Sequence, residues 1–403
     1  MFNERVKTHH SAMSEGKKYL AGMSEVKTAL NVKNTDDSKN AVIYIHVPFC
    51  HKICSFCNMR RNLQSPIKNY ADLIIEEIHQ YADFPYIQTT TFDAVYFGGG
   101  TPTTLSADSL CAILKALKQN LNFTKDAEFT IETTVTELDE NKQKALAEAG
   151  VNRFSVGIQT FDDEGRRLMG RIGSGDNAFN RLRQLKAFEN VTVSMDLIYN
   201  YPNQTMQSLN EDLDKILELD LDGFSMYSLI NMRGTSIEQA QSEKTDEEMF
   251  FAIVNKMKRK GYHFLELTKM VKTDRYKYIM NRHQAADTLP LGAGAGGSVN
   301  NLAMMNPIKL DEYEQSVKDT ASKKGMLFLP EYKEITKFKG AIQTIHLPEN
   351  ETLYKDINMY KDFLKHLLEE DMIRDTGTGV YQLTDRGIFW GNTISRELSK
   401  LIE

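Results

Sequence analysis

Three of the chain's four cysteines fall within eight positions, Cys50-His51-Lys52-Ile53-Cys54-Ser55-Phe56-Cys57. A Cys-x3-Cys-x2-Cys run offers three thiolates from one short loop. Thiolates are soft ligands that favour iron–sulfur clusters, zinc or Cu(I) over hard cations. The count of three matters, because a structural zinc site is closed by four protein ligands and electron-transfer clusters of the four-iron kind take four cysteines. A four-iron cluster held by three thiolates leaves one iron open to a small molecule. The competing reading is zinc completed by His46 or His51. A disulfide framework does not suit so long and cysteine-poor a chain. The fourth cysteine, Cys111, lies beside an apolar helical stripe and reads as packing.

A strand must carry this loop. Residues 41–47 are apolar and β-branched and stop at Pro48, directly before the cysteines. Further strands are expected at 92–97, 128–132, 153–159, 191–198 and 223–229. Between them, Tyr70, Leu73, Ile74, Ile78 and Tyr81 recur at helical spacing, as do Leu110, Ile113, Leu114, Leu117 and Leu121. Further helices are expected around 140–149, ended by Gly150, near 163–187 and at 206–219. Six strands alternating with helices predict an α/β fold, a parallel sheet with helices outside it. Such sheets bind ligands beyond the carboxyl ends of their strands. The cysteine loop follows the first strand and Gly98-Gly99-Gly100-Thr101-Pro102 follows the second. Glu132, Gln159 and Asp196 lie at or near the ends of strands three, four and five, so all of these residues project to one mouth.

Past residue 240 a helix near 245–260 precedes a possible strand at 262–267, and Leu291 to Ser298 is a glycine-dense loop. Helices near 354–370 and 385–401, with residues 381–387 between them, predict a small C-terminal α+β domain, winged-helix-like. The expected division is an N-terminal polar extension at 1–40, a main domain with its substrate-side extension at 41–305, and the small domain at 306–403. A hydrophobic content of 41% and a charged content of 26% are those of a globular protein. A net charge of −6 gives no broad basic surface for nucleic acid. No run reaches the roughly 18 apolar residues of a membrane span. The start of the chain lacks the apolar core of a secretion signal, so a cytoplasmic protein with reduced thiols is expected.

Tyr44-Ile45-His46-Val47-Pro48-Phe49, with Cys50, Cys54 and Cys57, resembles the signature of radical S-adenosyl-L-methionine (radical SAM) enzymes. More narrowly it resembles the branch of oxygen-independent coproporphyrinogen III oxidase, over about residues 41–300. The resemblance implies a partial (β/α)6 TIM-type barrel and a catalytic [4Fe-4S] cluster on the three cysteines. The open iron would chelate SAM, and an electron from a low-potential donor such as flavodoxin or ferredoxin would release a 5′-deoxyadenosyl radical. It implies that Gly99, Gly100 and Thr101 approach the methionine part of SAM and that Glu132 holds the ribose. Gln159, Arg171 and Asp196 match other SAM-contacting positions, and Tyr44 and Phe56 match residues flanking the cluster.

One departure is Met59, where coproporphyrinogen oxidase carries a further cysteine. The late His-Asn…Tyr-Trp signature of the branch's heme chaperones is not evident around Arg282-His283-Gln284. Asp274-Arg275-Tyr276-Lys277-Tyr278, followed by the glycines at 292–297, resembles the anaerobic heme-degrading methyltransferases, the anaerobilin synthases. That resemblance implies ring opening of heme with addition of a methyl-derived carbon, a linear tetrapyrrole product and released iron. A flat, apolar heme with two propionates needs apolar walls and a few cations. Arg60, Arg61, Arg275 and Lys277 are therefore candidates for the propionates, and His46, His263 and His283 for the iron. His46, Arg275, Tyr276 and His283 form the expected substrate-side set. The alternatives are a heme carrier that holds a cluster but leaves the porphyrin intact, or a coproporphyrinogen III dehydrogenase.

Overall fold

The computed structural model describes residues 2, 4–7, 18–35, 41–59, 63–232, 234–348, 353–377 and 379–402. Its centre is a sheet that begins with β1 (Leu20–Glu25) and β2 (Ala41–Val47), followed by β3 (Thr91–Gly99), β4 (Asn122–Thr133) and β5 (Arg153–Gln159). It continues with β6 (Thr192–Tyr199), β7 (Gly223–Ser228), β8 (His263–Glu266), β9 (Lys269–Val271), β10 (Thr288–Leu291), β11 (Gly296–Val299), β12 (Leu302–Met305) and β13 (Lys324–Phe328). The strand order is β1-β13-β12-β11-β10-β2-β3-β4-β5-β6-β7-β9-β8. Strands β2 to β7 pair in parallel, in sequence order, as the alternating pattern requires. This is the partial barrel, and β10 extends it as a further parallel strand beside β2.

Burial on both faces explains the strand sequences. In β2 every residue is buried except the half-buried Tyr44, so the strand reads as a near-continuous apolar run rather than an alternation. Helices cover the outside. Tyr70–Ala82 turns Tyr70, Ile74, Ile78 and Tyr81 inward. Ala107–Asn120 starts at Ser106, whose hydroxyl accepts from the Ser109 N–H, and Glu140–Glu148 starts at Asp139, whose carboxylate accepts from the Lys142 N–H.

Four expectations change in detail. The helix expected over 163–187 is two, Asp163–Leu168 and Gly175–Lys186. Gly170 and Gly173 take left-handed φ values of 71° and 82° between them, and that break makes the loop that carries Arg171. The glycine-dense stretch is partly sheet: Gly292 and Gly294 turn the chain and β11 begins at Gly296. The N-terminal extension supplies β1, which pairs antiparallel with β13, and a short helix, Val26–Leu30. The main sheet also continues past residue 305, through β13. After it, helices Tyr332–Gln343, Ile357–Glu369, Asp385–Phe389 and Gly391–Ile402 surround the hairpin of β14 (Ile373–Asp375) and β15 (Tyr381–Leu383).

The barrel is filled at its amino-terminal end. The helix Lys277–His283 brings Tyr278 against Tyr96 with rings 4.6 Å apart and stacked, and against Tyr44 at 6.2 Å. Beside them Arg153, the first residue of β5, donates to both oxygens of Asp274 at 2.9 and 2.8 Å. The Arg153 guanidinium lies 4.1 Å from the Tyr276 ring centroid. Lys269 reaches Asp274 at 3.2 Å and Ser194 at 2.6 Å. These charges are fully enclosed and mutually paired, which is the condition under which burial of ions is tolerated. Among the described residues, no helix is long and apolar enough to cross a membrane.

Candidate active site

The parallel ladder sets the site. Beyond the formal end of β2, the Gly100 N–H still donates to the Val47 carbonyl at 2.9 Å and the Thr101 N–H to the Phe49 carbonyl at 2.8 Å. The glycine turn is thereby pressed against the start of the cysteine loop. A Cβ on Gly100 would stand 2.5 Å from the Phe49 oxygen, and one on Gly99 would stand 2.6 Å from the His46 ring. Gly99 also has a φ of +113°, so both positions need glycine for physical reasons. Cys50 Sγ lies 3.7 Å from Thr101 Oγ1.

The outer part of the loop is fastened to the loop after β5. The Ser55 N–H donates to the Met169 carbonyl at 3.1 Å, and the Ser55 hydroxyl donates to the Leu168 carbonyl at 2.8 Å. Arg171 Nη1 donates to Cys54 Sγ at 3.2 Å, and its Nη2 donates to the Gly157 carbonyl.

A cavity of about 440 Å³ opens at this end of the barrel. That size suits a small-molecule ligand, for which pockets run to roughly 300–1,000 Å³. Cys50, Cys54, Cys57 and Phe56 form one wall, and Gly99, Gly100 and Thr101 form the next. Glu132, Gln159, Arg171 and Asp196 complete the ring. Twelve positions were expected at the cluster and SAM, and all but Tyr44 meet here. Tyr44 lies lower, within the tyrosine stack, with its hydroxyl 2.8 Å from His46 Nδ1.

Glu132 accepts from the Tyr96 hydroxyl at 2.5 Å and from the Gly99 N–H at 3.2 Å. Burial pushes its carboxyl up to about 7, and the nearby Asp196 charge adds to the rise. Asp196 is raised for the same first reason, against the pull of Lys269. Gln159 has a left-handed φ of 69° at the end of β5 and a buried Oε1 with no hydrogen-bond partner among the described residues. Gln159 lines the cavity, and an orphaned acceptor there fits a ligand that donates to it.

The substrate-side expectations fare differently. His46 is buried, its ring held against Gly99 and Gly294 and its Nδ1 engaged by Tyr44, so it does not line the cavity. Arg275 pairs with Asp126 at 3.3 Å. Asp126 precedes Glu132 by six residues on β4, so this pair stands roughly 20 Å away, at the opposite end of the barrel. Tyr276 is part of the barrel filling. His283 Nε2 is bound to Glu266 at 2.7 Å, and Lys277 binds Asp93 and Asp126. His263 is exposed on β8, at the sheet edge. Arg60 and Arg61 lie outside the described residues. The short motif around 274–278 therefore builds the floor rather than the mouth, because a strand's length separates the two ends.

The mouth is instead apolar. Met59, Ile172, Leu229, Ile230 and Met232 rim the cavity, with Tyr227 inside it and Lys52 at its edge. Sequence reading missed Tyr96 and Tyr227. Both share the inward alternation of their strands, Tyr96 with Gly98 and Tyr227 with Ser225, so period-two patterning could have found them. Cys111 lies apart, half-buried with Sγ 3.7 Å from the Ala145 carbonyl between two outer helices.

The donor set fits an iron–sulfur cluster. Three thiols, none of them in a disulfide, share one wall of the cavity, while His46, one of the two histidines that could complete a zinc site, does not line it. Among the described residues, no three His, Cys, Asp or Glu side chains gather closely enough for a single metal ion. The glycine cradle and the orphaned Gln159 oxygen fit SAM beside the cluster.

A family model described as the Radical SAM superfamily matches residues 44–216. The chain is 30% identical over 389 residues to anaerobilin synthase of Escherichia coli O157:H7, covering 92% of this chain and 86% of that protein. It is 27% identical over 371 residues to the heme chaperone HemW of Lactococcus lactis, covering 87% and 95%. The solved structure of coproporphyrinogen III oxidase from Escherichia coli has the same fold, with a TM-score of 0.76 over 92% of both chains at 21% identity.

Proposed function

Because the chain belongs to the radical SAM superfamily, in the branch of anaerobilin synthases, heme chaperones and oxygen-independent coproporphyrinogen III oxidases, we propose that it is a radical SAM C-methyltransferase that opens heme without oxygen. The products of that reaction are a linear tetrapyrrole and free iron. The observation that carries this reading is the likeness to anaerobilin synthase over 92% of the chain. Met59, in place of the oxidase branch's further cysteine, supports it against a coproporphyrinogen dehydrogenase.

Members of the family bind a [4Fe-4S] cluster and SAM, which together supply a carbon-centred radical able to take hydrogen from a strong C–H bond. Cys50, Cys54 and Cys57 would hold the cluster. Gly99 and Gly100 let backbone amides and carbonyls come close to the bound molecule. Glu132, Gln159 and Asp196 offer acceptors for hydroxyl and amino groups. Below them the stacked tyrosines and the Arg153–Asp274–Lys269 group fill the barrel and shield the cavity from water at that end. Above, Met59, Ile172, Leu229, Ile230 and Met232 give the apolar walls that a flat macrocycle needs, and Lys52 offers a cation to an anionic edge. A low-potential donor of the flavodoxin or ferredoxin class would provide electrons. A cytoplasmic setting, where thiols stay reduced, accords with four cysteines that form no disulfide.

The heme chaperones that match along most of the chain support a second reading, a carrier that binds heme and leaves it intact. An anaerobic incubation with heme, SAM and a low-potential reductant separates the two. Ring opening bleaches the heme absorption band and yields 5′-deoxyadenosine together with a tetrapyrrole carrying carbon from the SAM methyl group. A heme spectrum that shifts on binding but persists through many equivalents of SAM would sink the first reading in favour of the carrier.

A further inference from the structure

We propose that Arg171 tunes the reduction potential of the cluster, by hydrogen-bonding the Cys54 sulfur and so stabilising the reduced state. The inference rests on a cluster bound to Cys50, Cys54 and Cys57. It does not depend on heme as the substrate, so failure of the heme reading leaves it standing.

The geometry is specific. One arm of the guanidinium donates to Cys54 Sγ at 3.2 Å while the other donates to the Gly157 carbonyl, so the fork spans from the cluster loop to the end of β5. The loop that presents Arg171 is itself fixed by Arg166. That side chain is only 1% exposed and donates to four carbonyls: Ile158 and Thr160 at 3.1 Å each, and Ile172 and Gly173 at 2.9 Å each. The two bonds of Ser55 to Leu168 and Met169 fasten the cysteine loop to the same segment. Arg171 and Cys54 are thus held as one unit from both sides.

The chemistry follows from charge. A guanidinium stays protonated under all working conditions, and a bond from it to a thiolate is charge-assisted. When one electron passes from a low-potential donor to the cluster, the cluster and its thiolates gain one unit of negative charge. A fixed cation on one sulfur favours that form, so the midpoint potential rises. Because the contact is to the protein's own sulfur, the effect belongs to SAM-free protein.

The test is a potentiometric titration followed by EPR, on anaerobically reconstituted full-length protein without SAM, with dithionite as the electron donor. Iron and sulfide contents equal to wild type are required of each variant before its potential is read. Arg171→Met is expected to shift the midpoint to lower potential, and Arg171→Lys, which keeps the charge but not the fork, to fall between. An unchanged midpoint in fully loaded Arg171→Met overturns the proposal, as would be found if this arginine served only the SAM carboxylate. A second measurement needs no variant. In wild-type protein labelled with 15N-arginine, pulsed EPR of the SAM-free reduced cluster is expected to detect a weakly coupled nitrogen. No such coupling overturns the proposal even if Arg171→Met loads no cluster.

Discussion

Glu132 carries two roles that pull its proton in opposite directions. Its enclosure raises the carboxyl to about 7, while Tyr96 and the Gly99 N–H donate to it and oppose the rise. Between about pH 4.5 and 7 the folded protein keeps a proton there that the unfolded chain has released, so stability from this group falls as pH rises through that window. Glu132→Gln does not titrate. Relative to wild type, the cofactor-free variant should gain about 3 kcal/mol on going from acid to neutral pH, read as a divergence of urea midpoints. Parallel pH profiles for the two proteins would remove the case for a raised carboxyl. At the cysteines the outcome is sharper. Cys54→Ala should lose the cluster and all SAM cleavage, measured as iron content and 5′-deoxyadenosine. Cys111→Ala, between two outer helices, should keep both near wild type. Loss of iron in Cys111→Ala would mean that the count of three thiolates is wrong.

The elements that serve the site are the strand ends and the helix that plugs the barrel. Asp274 stands between them, receiving Arg153 from β5 and Lys269 from β9. Burial alone would raise its carboxyl, but those two cations hold it well below the usual carboxylate range. Asp274→Ala leaves Lys269 enclosed with only the Ser194 hydroxyl and Arg153 with only Glu128 at 4.0 Å among the described residues, which should cost about 3–5 kcal/mol. Chemical denaturation checks this, and a loss under about 1 kcal/mol would show that water already reaches the floor. Much of this level was legible in the chain. Apolar runs at the six parallel strands, and the rule that ligands sit beyond their carboxyl ends, brought Cys50, Gly99, Glu132, Gln159 and Asp196 to one cavity. The motif at 274–278 was harder to place. Its residue types suit a propionate site, but which end of a barrel a returning segment meets depends on the path of the chain after β9, and local spacing carries no record of that path. Tyr44 was displaced for a related reason, since alternation turns it inward but its depth depends on Tyr278, more than 200 residues later.

For the molecule as a whole, the two ends of the chain close over the barrel. Arg5 and Lys7 both meet the enclosed Asp246, which also accepts from Ser228 at 2.8 Å, a residue of the cavity wall. Phe2 packs on Trp390 with rings 5.6 Å apart, and β1 lies along β13. The N-terminal segment thus joins the end of β7 to the C-terminal helices, and the mouth is rimmed by segments from distant parts of the chain. All of this architecture serves one chemical condition, a cluster whose protein ligands number three. Iron and acid-labile sulfide assayed in anaerobically isolated protein, with the EPR spectrum of the reduced form recorded before and after SAM, address that condition most directly. About four irons and four sulfides per chain, with a spectrum that changes on adding SAM, are expected. Zinc without sulfide, or a cluster spectrum indifferent to SAM, would contradict the account.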